Sequence, residues 1–281
     1  MVDVVRAPAS SANLGAGFDV FGMAIDLYAD VGRGDPPTGA HALDDQHPAS
    51  RLYAQYGGVG PIWLRTEIPM ARGLGFSAAV RIAAVGLAVA GAGDADEAVA
   101  RILDSDALGA VCRDEGHGDN AAASLLGGLT VFRDGRVLRL DLGPQIGAAA
   151  VVAWIPTVTT STDRSRATLP PVVPREAAVA NIATAVQLAV AVERDDPDLL
   201  VGATMDRLHQ DVRLPAVPDA AAALEAGTAA GAWCGWLSGS GPTVALLCAG
   251  ERADTVVASL PPSGHAKVQR IDRDGVRCDV G

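Results

Sequence analysis

The chain of 281 residues contains a single lysine, Lys267, and only 4% aromatics, and its four cysteines include no closely spaced pair. Each scarcity excludes something. Without a Gly-Lys-Ser/Thr run there is no Walker A phosphate loop, since Lys267 lies between Ala266 and Val268. Cys112, Cys234, Cys248 and Cys278 are too far apart in sequence for a zinc knuckle or a Cys-x-x-Cys redox motif, so a reduced, cytoplasmic setting is expected. Positive charge is short as well: the formal net charge is −11. That argues against nucleic acid as a partner, because phosphate backbones need a basic face. No basic segment followed by an apolar run opens the chain, and no uninterrupted apolar run reaches the roughly 20 residues of a membrane span, so neither a signal peptide nor a membrane partner is expected. An acidic, lysine-poor surface suits a salt-rich cytoplasm, but codon bias toward arginine gives the same composition.

What is present is a folding sequence. Hydrophobic residues make up 49% and charged residues 20%, which opposes disorder. The length suits one large domain or two packed ones. Val2 to Ala7, Phe21 to Val31, Pro61 to Ile68, Ala148 to Ile155, Thr243 to Cys248 and Ala266 to Ile271 read as strands. Ala49 to Tyr56, Ser77 to Ala92, Asp94 to about Cys112, Glu176 to Val192, Pro197 to His209, Asp219 to Ala229 and Val256 to Leu260 read as helices. The Ser77 helix is apolar almost all round, with Arg81 its only charge, which predicts burial. Asp134-Gly135 between two apolar runs signals a hairpin. Strands and helices without strict alternation predict an α+β fold.

Three glycine-bearing loops carry the chemistry. The first is Arg6-Ala-Pro-Ala-Ser-Ser-Ala-Asn13-Leu-Gly-Ala-Gly-Phe-Asp19, the second Pro69-Met-Ala-Arg72-Gly73-Leu74-Gly75-Phe76-Ser77-Ala78-Ala79, and the third Leu237-Ser238-Gly239-Ser240-Gly241-Pro242. Glycines before a helix let the backbone approach an anion, and the free N–H groups and dipole of the helix N-terminus favour negative charge. The plainer alternative is a turn joining strand to helix, with Ser77 as an N-cap. His117-Gly118-Asp119-Asn120 offers an amide and a carboxylate for directed hydrogen bonds to a hydroxyl or ammonium, or else simply caps a helix. Arg166, in Ser161-Thr162-Asp-Arg-Ser-Arg166-Ala-Thr-Leu-Pro170, and Arg213, in His209-Gln-Asp-Val-Arg213, could clamp a carboxylate or phosphate, or form surface ion pairs.

Together these segments, in this order, resemble the signature motifs of the GHMP small-molecule kinases, and most closely those of the homoserine kinases. The resemblance implies a GHMP kinase fold: a nucleotide-binding α/β domain of ribosomal-protein-S5-like type over residues 1–145, packed on a ferredoxin-like α+β domain over 146–281. It implies ATP and Mg²⁺, and transfer of the γ-phosphoryl group to a hydroxyl, most closely that of L-homoserine in threonine biosynthesis. A sibling kinase with another small acceptor, such as a sugar phosphate or hydroxy acid, and an inactive ligand-binding relative are the competing readings. A homodimer is the expected assembly.

Carried over residue by residue, Pro69, Arg72, Gly73, Leu74, Gly75, Phe76, Ser77 and Ala78, with Ser238, Gly239 and Gly241, would hold the nucleotide. Asn13, Asn120 and Arg166 would act in catalysis. Asp19, His117, Asp119, Thr162 and Arg213 would bind the acceptor. Three departures stand out. Phe76 replaces a serine of the glycine loop, and the segment from Gly32 to Pro61 is shorter than in homoserine kinases. Gly109 occupies the position of a metal-binding glutamate, leaving Ser77 and Asp106, one turn earlier, as the expected metal ligands, with Asp104, Asp114 and Glu115 as lesser alternatives.

Overall fold

The computed structural model describes residues 2–91, 95–159 and 162–280. Its strands are β1 (Val2–Ala12), β2 (Phe21–Arg33), β3 (His41–Ala42), β4 (Ile62–Thr66), β5 (Leu129–Arg133), β6 (Arg136–Leu140), β7 (Ala150–Pro156), β8 (Cys234–Leu237), β9 (Val244–Cys248), β10 (Gly264–Arg270) and β11 (Arg277–Val280). They form a seven-stranded sheet of order β11-β1-β2-β4-β3, with β5 on β2 and β6 on β5, and a four-stranded sheet of order β10-β7-β9-β8. All of these strand pairings are antiparallel, so the fold is α+β as expected. The chain returns at its end to the first sheet, where Arg277 to Val280 pair with β1.

The imperfect alternation of β2 has a physical cause. Most of its residues on both faces are buried, so polar alternation has no solvent to follow. The strand is long enough to pair with β4 through Ala29–Arg33 and with β5 through Phe21–Met23. Pro8 sits inside β1, where its missing N–H would break a regular ladder; the β1–β2 register shifts between Pro8 and Ala9. The predicted hairpin joins β5 to β6 through Asp134 and Gly135, both at positive φ.

The helices are α1 (Pro48–Gln55), α2 (Phe76–Ala90), α3 (Ala95–Asp104), α4 (Ala107–Glu115), α5 (Asp119–Leu126), α6 (Thr162–Ala167), α7 (Arg175–Glu193), α8 (Gln210–Arg213), α9 (Pro218–Ala229) and α10 (Ala253–Ser259). The apolar α2 is buried as its composition demands, packing on β1 and β2 beside α5, and its alanines let those backbones come close. Predicted ends at Ala92 and Asp94 lie outside the described residues. The helical stretch expected up to Cys112 divides into α3 and α4 at Ser105–Asp106. The helix expected over Pro197–His209 is instead a short 3-10 turn, Pro197–Leu200, followed by turns through Gly202 in the left-handed region. Helix α7 is long and apolar enough to cross a membrane by length and composition. Its Ala177, Leu188, Ala191 and Val192 are buried, while Val179, Ile182 and Val186 are exposed.

Candidate active site

The three loops are bolted together behind one cavity. Trp236 Nε1 can only donate, and it donates to Ser11 Oγ at 2.9 Å. The Gly73 carbonyl can only accept, and it accepts from Ser238 Oγ at 2.6 Å. The 2.7 Å bond between the two serine hydroxyls must therefore run from Ser11 to Ser238, giving a one-way chain from indole to phosphate loop. Asn13 spans the first and third loops: its Nδ2 donates to Gly239 O at 2.9 Å, and its Oδ1 accepts from the Asp19 N–H at 3.1 Å. Ser10 donates its N–H to Leu74 O at 3.2 Å and its hydroxyl to Asn120 Oδ1 at 2.9 Å, tying β1 to the second loop and to α5.

Two glycines make this closeness feasible. Gly73 has φ +74, and a Cβ there would stand 2.2 Å from the Ser238 carbonyl oxygen. Gly75 has φ +64, and a Cβ there would stand 2.1 Å from Ser10 Oγ. Gly75 is itself the N-cap of α2, and no side chain caps the helix. The capping reading of Ser77 is thereby set aside, because Ser77 lies within the first helical turn. Ala79 closes on Gly75 O at 3.0 Å, so the amides of Phe76, Ser77 and Ala78 precede the first closed turn and have no intrahelical acceptor.

That helix mouth opens on a cavity of about 430 Å³, a size suited to a small substrate beside part of a nucleotide. Pro69, Arg72, Gly73, Leu74, Gly75, Phe76, Ser77 and Ala78 line one side. Asn13, Asp19, His117, Asp119, Asn120, Arg166, Arg213 and Gly239 complete the wall. Phe76, in place of a serine, also packs its ring against the core. Ser238 and Gly241 do not line the cavity and support the loop from behind. Thr162 opens α6, and its side chain lies outside the described residues, as does Ser161. Asp106 is not brought in: it begins α4 with its carboxylate on Arg113 at 2.6 Å and on the Tyr56 hydroxyl at 3.3 Å.

Charge in the cavity is arranged around Phe18, which sequence reasoning did not single out. The Arg166 and Arg213 guanidinium carbons lie 5.4 and 5.3 Å from its ring centroid, and His209 stacks on it at 5.0 Å. Arg166 forms a bidentate pair with Asp19, at 2.9 and 2.5 Å. Arg213 is 6% exposed and, among the described residues, pairs with no carboxylate. It reaches His209 Nδ1 at 3.2 Å and Gly239 O at 3.4 Å, and its buried Nε has no acceptor among the described residues. Burial first, and then the neighbouring Arg166 charge, push its pKa down from the usual arginine value. A buried cation with an unused donor is a receptor for an anion.

Asn120 uses its Oδ1 on Ser10, and its backbone N–H donates to Asp119 Oδ1 at 2.8 Å. Its Nδ2 donors have no protein partner among the described residues. Asp119 also meets His117 Nδ1 at 3.0 Å. Burial lowers the His117 pKa, but the Asp119 bond and the Asp119 and Glu115 charges outweigh it, so the net shift is upward from 6.5. The raised folded-state value means that protonated His117 stabilises the fold fully below the unfolded pKa, and that this stabilisation is lost as pH rises through the folded pKa. Thermal melts of His117→Asn against wild type should differ most at acid pH and converge at alkaline pH. A gap constant across pH would contradict the pairing.

Sequence reasoning offered Asp114 and Glu115 only as lesser metal candidates and missed Arg81, which binds both of them on the cavity wall. The only signal was the single charge on an otherwise apolar helix. Arg81 Nε bonds Asp114 at 2.6 Å, and its Nη1 bonds Glu115 at 3.1 Å and the Ser77 hydroxyl.

An uncapped helix mouth, a buried arginine and a free side-chain amide share one cavity within a two-sheet α+β fold, an arrangement suited to a small anionic ligand. Sequence and structure comparisons agree. The models for the GHMP kinases N terminal domain and the GHMP kinases C terminal domain match residues 42–128 and 188–265. Homoserine kinase of Moorella thermoacetica is 38% identical over 99% of this chain and 95% of its own length. That of Streptomyces coelicolor is 35% identical over 96% and 92%. Among solved structures, homoserine kinase from Cytophaga hutchinsonii superposes with TM-score 0.81 at 22% identity, covering 99% of this chain and 97% of its own. Mevalonate kinase of Methanococcus jannaschii shares the fold at TM-score 0.67, 11% identity, and coverage of 96% and 98%. The chain belongs to the GHMP kinase family and groups there with proteins named homoserine kinase. It is a phosphotransferase that uses ATP and acts on an alcohol group.

Proposed function

We propose that the protein transfers the γ-phosphoryl group of ATP to the hydroxyl of L-homoserine. The observation that carries this reading is the presence, in one cavity, of the free helix mouth at Phe76–Ala78 and of the orphan donors of Arg213 and Asn120. The amides at the mouth hold the phosphates. Arg213 takes the acceptor's carboxylate, Asp19 faces its ammonium, and Asn120 Nδ2 holds its hydroxyl. Arg166 fixes Asp19, and His117 fixes Asp119, so the acceptor meets a preset wall. The acceptor oxygen forms a bond to the γ-phosphorus as the bond to the β-bridging oxygen breaks; ADP leaves and the hydroxyl proton passes to solvent. Such transfer is driven by positioning and charge neutralisation. Asn13, with both ends of its amide engaged, acts by joining the loops.

Mg²⁺ finds no protein cage of its own here: the cavity-lining carboxylates Asp114 and Glu115 are both engaged by Arg81. Among the described residues no group of three or more His, Cys, Asp or Glu side chains could hold a metal. Ser77 Oγ is occupied by Arg81, and Asp106 is held away by Arg113. No step is therefore routed through a resident metal; a divalent ion complexed to ATP enters as part of the substrate. The division at residues 145/146 belongs to the same proposal, with β11 as a return strand. So does a cytoplasmic setting, which suits an ATP-using enzyme whose buried Cys234 and Cys248 are free thiols.

ADP release measured over a panel of small hydroxyl compounds tests the assignment. L-homoserine should give the highest kcat/KM. A higher value for a sugar phosphate or hydroxy acid would move the assignment to a sibling kinase, and nucleotide binding without turnover on any acceptor would favour an inactive relative.

A further inference from the structure

Resting on the kinase reading, we infer that Arg81 is a phosphate-contacting residue of this chain, supplying from the protein the positive charge that the family resemblance assigns to a metal held at Ser77. The position follows from the helix. Arg81 stands four residues beyond Ser77, hence one turn further on the same face of α2, and lines the cavity. Its guanidinium is fixed from two sides. Nε is held by Asp114, Nη1 by Glu115, and Nη1 also by the Ser77 hydroxyl and, at 3.3 Å, the Ser77 carbonyl. The side chain is only 15% exposed. These contacts leave the Nη2 donors without a protein partner among the described residues. A planar guanidinium so oriented presents a fork that matches phosphate oxygens.

The electrostatics require such a charge. Asp114 and Glu115 line the same cavity beside the helix mouth, and unpaired they would repel an entering polyphosphate. The two carboxylates nearest Ser77 are already engaged by Arg81, and a third, Asp106, is turned away onto Arg113. Position 109 is glycine, and the Asp106 carboxylate lies over it, 2.1 Å from where a Cβ would stand. Arg81 sits between the two acids and Ser77, offsetting one of their two negative charges and offering its outer edge to the ligand. Arg72 of the glycine loop also lines the cavity, anchored on the Val158 carbonyl, so the lining near the loop carries a second cation.

The test measures binding of ADP and of adenosine to the full-length chain by calorimetry in EDTA. Removing Arg81 as a phosphate ligand should affect only the phosphorylated molecule. Arg81→Gln should weaken ADP by about 10- to 100-fold and leave adenosine within about twofold. Arg81→Lys keeps the charge and loses the fork, so its ADP loss should be smaller, again with adenosine unchanged; it carries the test alone if the glutamine variant does not fold. Equal losses for ADP and adenosine would mean that Arg81 only braces α2, and unchanged ADP affinity would mean that it does not meet phosphate; either overturns the inference. If wild-type protein binds no ADP with or without Mg²⁺, the kinase reading fails together with it. If wild type binds ADP and releases it on turnover while the variants match wild type, only the role of Arg81 is lost.

Discussion

Arg213→Met should raise the KM for the acceptor by about 100-fold or more and leave the KM for ATP within about twofold, since charge-assisted hydrogen bonds contribute roughly 1.5–3 kcal/mol each and a carboxylate accepts two. The split between the two substrates follows from geometry. Arg213 lies against Phe18 and Gly239 in the cavity wall, and its buried Nε has no acceptor among the described residues. The same substitution should not lower the melting temperature. The arginine is a buried cation whose hydrogen bonds among the described residues run to a histidine nitrogen and a carbonyl, and exchanging such a charge for an apolar chain of similar length relieves desolvation. Initial rates with each substrate varied in turn, together with a thermal melt, check both halves. A fall in stability with no change in acceptor KM would assign Arg213 to the scaffold.

The second large effect is expected at Gly73. An alanine there must either retain a left-handed backbone, at a cost of about 1–2 kcal/mol, or move its Cβ off the Ser238 carbonyl, 2.2 Å away. Neither neighbour is a flexible side-chain tip, so the second loop has to shift from the third. Displacing the phosphate site by about 1 Å should lower kcat/KM for ATP by about 100-fold. Gly135→Ala is the control: it shares a positive φ of 77, but an added Cβ there meets nothing within 4 Å. If the two variants lose ATP efficiency equally, backbone strain rather than loop contact explains the effect.

Much of this site was legible in the chain because its loops are local. Gly73-Leu74-Gly75 followed by an apolar run encodes the turn, the uncapped start and the buried helix within one short segment. His117, Asp119 and Asn120 could be read for the same reason. What could not be read depends on distance along the chain. Arg81 meets Asp114 and Glu115 across separations of 33 and 34 residues, and without those partners it is just one charge on a buried helix. Asn13 read as a catalytic amide; that both of its ends are engaged is visible only once Gly239, 226 residues away, is beside it. The short strands β8 and β11 carry too few residues for a periodic signal and are set by pairing with β9 and β1. Residues 197–209 have the composition of a helix, but Gly202 adopts a left-handed turn that lets the chain lead to buried Asp206 and His209.

Passage of phosphate from the α2 mouth to the hydroxyl of an acceptor gripped by Asn120 and Arg213 can be followed in a single turnover of γ-labelled ATP with enzyme in excess. The account predicts label in phosphorylated homoserine, dependent on added homoserine and slowed in the Arg213→Met variant. Label that stays in bound ATP, or that appears only as inorganic phosphate whether or not homoserine is present, would contradict it.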